Sequence, residues 1–84
     1  MRTLQELGRS VAASRRELRL DQKDVAAQAG VTRESLVRFE RGQLPEFGSR
    51  KLLAILAVLG MEVTFTKIGM SGSLDELRRE RGGA

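Results

Sequence analysis

The 84-residue sequence has no cysteine, histidine, tryptophan or tyrosine, and three phenylalanines are its only aromatic residues. Lack of cysteine excludes a disulfide framework and a thiolate zinc site. Lack of histidine removes every nucleophile pair that uses imidazole as its base. Metal chemistry would fall to carboxylates alone, and the eleven Asp and Glu residues stand singly or at helix starts. The sequence therefore reads as non-enzymatic, with no cofactor. Long apolar runs are also missing. The longest, 52–59, has eight residues, against the ~20 that span a bilayer, and no signal-peptide pattern opens the chain. A cytoplasmic protein without membrane contact is expected. A chain of this length forms one domain that buries only about 60 to 65% of its unfolded surface, so a partner chain would help.

What the sequence does have is charge rich in arginine. Fifteen basic against eleven acidic residues give +4, and twelve of the fifteen are arginines, the better donor to phosphate and guanine. A total of this size says little by itself; placement says more. Segment 21–42, DQKDVAAQAGVTRESLVRFERG, suits two short helices crossing at a tight turn. Asp21 can cap the first helix on an orphaned backbone N–H, and Asp24 adds negative charge there. Val25 and Ala29 share a face, while Ala26 is small enough for a second helix to cross closely. Gly30 can take positive φ and reverse the chain into Val31 and the next N-cap candidate, Thr32.

Wound at ~100° per residue, the second helix, 33–41, separates into two faces. Ser35, Leu36, Phe39 and Glu40 lie on one; Arg33, Glu34, Val37, Arg38 and Arg41 lie on the other. Arg33 and Arg38 carry planar forks that fit the O6 and N7 of guanine, Glu34 can accept from the N4 amine of cytosine, and Val37 can pack on a thymine methyl. A Glu34 to Arg38 salt bridge, four residues apart, is the structural alternative.

The flanking segments frame this unit. Thr3 and Glu6 form a capping box, and Leu4, Leu7, Val11 and Leu18 predict a first helix to about Arg19. After Gly42, Pro45 and Gly48 mark a loop that Phe47 anchors. The helix at 49–59 is apolar nearly all round, which suits burial on more than one side and a dimer through Leu56 and Leu59. Arg50 and Lys51 at its start oppose the helix dipole, so they either meet DNA phosphate or point into solvent. Residues 61–68 switch to period two, with Met61, Val63 and Phe65 on one face. No other segment reads as a strand. The expected mate is the same strand of a second copy, forming a two-stranded ribbon; the alternative is a packed tail in a monomer. Residues 69–72 read as a flexible joint, and 73–84 as a capping box at Ser73 and Glu76 opening a short polar helix from Leu74 to about Arg81.

The opening at Leu20 to Gln22, the turn at Ala29 and Gly30, the VTRESL entry to the second helix and the exit at Phe39 to Gly42 resemble the helix-turn-helix of the Xre family, the phage-repressor and Cro type of regulator. The resemblance implies a mainly α fold: a five-helix, lambda-repressor-like DNA-binding domain over 1–60, a dimerising strand at 61–68, and a joint with a short C-terminal helix at 69–84. It also implies that Gln22 holds a phosphate and that Arg33, Glu34 and Arg38 read bases in the major groove, beside Val37 on the same face. Thr32, Arg41, Gln43, Arg50 and Lys51 would contact the DNA backbone. Relatives often carry an Arg-to-Glu ion pair at positions matching Arg15 and Glu40; two separately solvated charges are the alternative. Many relatives read bases with neutral amides, so the operator of this chain is not inherited from them.

The layout of domain, single strand and short charged extension is similar to the HipB-like antitoxins. That resemblance implies a bacterial, nucleoid-associated homodimer that represses its own operon at an inverted repeat of double-stranded DNA and restrains a HipA-like serine/threonine kinase toxin. A stand-alone phage or plasmid repressor, and a protein-interaction module that has lost DNA binding, are the rival readings.

Overall fold

The computed structural model describes residues 3–68, and the proposed joint and C-terminal helix at 69–84 lie outside them. Four helices follow in order: α1 (Leu4–Glu17), α2 (Gln22–Ala29), α3 (Arg33–Glu40) and α4 (Ser49–Val58). Helix α3 packs on α1 and α2, and α2 also packs on α4. Their shared core is Val11, Val25, Ala26, Leu36, Phe39, Ile55, Leu56 and Leu59.

Side-chain oxygens start the first three helices. Thr3 accepts from the Glu6 N–H at 3.0 Å, Asp21 from Asp24 at 2.7 Å and Thr32 from Ser35 at 3.0 Å, each satisfying a donor that the first turn leaves orphaned. Gly30, at φ 72°, gives the left-handed residue that turns α2 into α3, and the Val31 N–H closes back on the Ala26 carbonyl at 3.0 Å. The same closure ends α1, but its left-handed residue is Arg19 at φ 57°, with Leu20 N–H on the Arg15 carbonyl at 3.1 Å. Helix α1 therefore stops at Glu17 and does not continue to Arg19 as its apolar spacing suggests.

One further expectation is corrected, and a second is not met within a single chain. Residues 4–60 hold four helices, not five, because the eight residues that join α3 to α4, 41–48, are broken by Pro45 and form no helix. The side chain of Gln5 donates to the Leu44 carbonyl at 3.4 Å, and Phe47 stacks on Phe39 with ring centroids 4.3 Å apart, so this loop is pinned at both ends. Residues 61–68 form no strand. A ladder requires a second strand, and none exists among the described residues of this one chain.

At Gly8 the backbones of α1 and α3 approach closely. The glycine is buried in α1 beneath the end of α3, where an added Cβ would lie 2.9 Å from the Phe39 carbonyl carbon and closer still to its oxygen. Only a residue without a side chain lets the two backbones meet there.

Candidate nucleic-acid interface

Helix α3 is amphipathic in the sense its sequence implies: Leu36, Phe39 and Glu40 are buried, Ser35 and Val37 half-buried, and Arg33, Glu34, Arg38 and Arg41 exposed. Burial of Glu40 would be prohibitive without compensation. Arg15 compensates it with a two-point clamp, Nε to Oε2 at 2.8 Å and Nη2 to Oε1 at 3.0 Å, and its Nη1 donates to the Leu20 carbonyl at 2.8 Å. The side chains are only 11% and 2% exposed. Hydrogen bonding to Glu40 raises the Arg15 pKa, burial opposes the rise, and the charges of Glu40 and Asp21 add to it. The guanidinium thus stays charged wherever the protein folds. The Arg15 to Glu40 pair is formed, and two separately solvated charges are excluded.

Gln22 joins this network. Its Nε2 donates to Glu40 Oε1 at 2.9 Å, and since an ionised carboxylate only accepts, the amide orientation follows from chemistry. One N–H and the amide oxygen of Gln22 remain for another partner. A bond between residues 18 positions apart has no local sequence signal.

A second ion pair lies on the outward face, where Arg38 Nη2 meets Glu34 Oε1 at 2.9 Å, with side chains 56% and 72% exposed. The two side chains expected to read separate bases therefore touch each other. Thr32 is exposed at the turn and its hydroxyl donates to Ser35 Oγ at 2.9 Å, so a phosphate contact there would require that hydroxyl to rotate. Gln43 is exposed in the loop, and Arg50 and Lys51 are exposed in the first turn of α4. That helix begins at Gly48 with no side-chain cap and no acidic residue.

The residues expected at a dimer interface divide. Leu56 and Leu59 are 5% and 6% exposed and belong to the chain's own core, because α4 turns them toward α2; the large apolar residue of α4 that faces outward is Leu53. Met61, Val63 and Phe65 are exposed, Phe65 at 90%. Among the described residues no cluster of side chains suits a metal ion, and no helix is long and apolar enough to cross a membrane.

The profile of a family described as a helix-turn-helix domain matches residues 1–66. No curated protein and no solved structure matches the chain.

Proposed function

The chain belongs to this helix-turn-helix domain family, a family of DNA-binding regulators, and from that premise we propose that it is a sequence-specific repressor of the Xre type. One observation carries the reading: α3 presents Arg33, Glu34, Arg38 and Arg41 to solvent while its opposite side is fixed to α1 and α2 through the Arg15, Glu40 and Gln22 network. A rigid helix with an exposed arginine face suits the major groove. In the proposed complex Arg33, Glu34, Val37 and Arg38 read base edges. The free N–H of Gln22, with Thr32, Arg41, Gln43, Arg50 and Lys51, sets the register on phosphates. The uncapped start of α4 leaves backbone N–H groups beside Arg50 and Lys51, which favours an anion there.

The repressor acts as a homodimer in this reading. Met61, Val63 and Phe65 are exposed on a segment that pairs with no strand among the described residues, and pairing with a second copy would cover them. Two recognition helices about 34 Å apart would then select an inverted repeat and occlude polymerase. Layout alone supports the finer assignment, an antitoxin that autoregulates its operon and restrains a HipA-like kinase toxin; a kinase reading frame beside the gene would favour it over a stand-alone repressor.

Selection from random duplexes followed by gel-shift titration on base-substituted operators tests the reading. A palindromic product is expected. Arg33→Ala should lose about 1 to 3 kcal/mol per half-site and relax the preference at one position, whereas Lys51→Ala should weaken all sequences alike. A uniform loss for Arg33→Ala would refute its assignment as a base reader.

A further inference from the structure

We propose that Glu34 and Arg38 act as one composite reader of a single G·C base pair, with Glu34 the element that discriminates. The inference rests on the DNA-binding reading above and deepens it. The Arg38 guanidinium has five N–H donors in a fixed plane, and only an Nη2 donor is engaged, by Glu34 Oε1 at 2.9 Å. Both side chains remain more than half exposed, so the remaining donors of Arg38 and lone pairs of Glu34 are open to a ligand. Turned to a base edge, the pair can offer donor, donor, acceptor. The major-groove edge of G·C presents, in order, the N7 acceptor, the O6 acceptor and the N4 donor. The two patterns are complementary, and reversing the base pair breaks the match.

The carboxylate also works against the wrong sequence. At an A·T pair it would face the O4 acceptor of thymine, two acceptors without a proton between them. On arbitrary DNA it places a negative charge inside an otherwise basic face and repels phosphate. Glu34 therefore lowers affinity for DNA in general and confines tight binding to sites that offer a cytosine amine.

The test uses the full chain as wild type, Glu34→Gln, Arg38→Gln and the double variant, in fluorescence-anisotropy titrations on three labelled duplexes. These are the operator recovered by selection, the same operator with one G·C pair per half-site changed to A·T, and a scrambled duplex. The pair changed is one whose replacement costs the Arg38→Gln protein measurably less than it costs wild type. Glu34→Gln should bind the scrambled duplex roughly three- to tenfold more tightly and lose roughly tenfold in discrimination between the first two. In the Arg38→Gln background the Glu34 substitution should leave that discrimination unchanged. Equal shifts on all three duplexes would overturn the proposal. So would a full Glu34 effect without Arg38, which would mean two independent readers, or the absence of any pair that depends on Arg38. Wild type that binds none of the duplexes with salt-dependent affinity would remove the DNA reading itself and the composite reader with it, a result distinct from the others.

Discussion

Helix α3 carries two glutamates, and each meets an arginine at close to the same distance, yet the two pairs have opposite characters. Glu40 faces inward and is clamped by Arg15 between helices; Glu34 faces outward and touches Arg38 one turn along the same helix. The inner pair is shielded from water, so neither charge can be removed without stranding the other. Water screens the outer pair, which adds little to stability and is free to exchange partners. Identical chemistry thus becomes part of the frame on one side of α3 and solvent-exposed surface on the other, and burial alone decides which.

The contrast breaks most visibly from the inside. Glu40→Ala should destabilise the fold by about 3 to 5 kcal/mol, because Arg15 is left buried and uncompensated, and urea unfolding monitored by helical circular dichroism reads the loss. A change below about 1 kcal/mol would mean that water reaches the pair and that the two sides of α3 do not differ as described. Replacing both partners with apolar residues, Arg15→Met with Glu40→Leu, should restore most of the stability, while the Gln22 amide loses its acceptor.

Gly8→Ala comes next. A methyl group pressed into the Phe39 carbonyl forces α1 and α3 apart and should cost about 1 to 3 kcal/mol. The melting temperature should fall, and Gly8→Ser should behave at least as badly. The smallest effect belongs to the outer pair: Glu34→Gln should change unfolding free energy by no more than about 0.5 kcal/mol. A larger loss would make that pair structural and would erase the difference between the two faces.

Local chemistry made much of this fold readable in advance. Thr3, Asp21 and Thr32 are short oxygen-bearing side chains placed three residues before the N–H they accept from, and Gly30 stands where only a left-handed residue turns the chain. The inward set Leu36, Phe39 and Glu40 follows from helical period alone. Tertiary geometry is where the reading stopped. Arg19 adopts the conformation usually left to glycine, so nothing at that position marks the end of α1. Helix α4 is apolar on nearly every side, and a pattern without a polar face cannot say which leucines point to the chain's own core; Leu56 and Leu59 do. Gly8 gave a faint signal, as an isolated glycine inside a helical pattern that needs a packing reason. The link from Gln22 to Glu40 gave none, because it exists only once two helices have docked.

That link has a mechanical consequence. One carboxylate, Glu40, ties the end of α3 to the start of α2 and to the far part of α1, so three helices are riveted at a single point. On the proposed interface, a tug by phosphate on the Gln22 amide is felt at once by the helix that lies in the groove, with no slack between grip and fingertip.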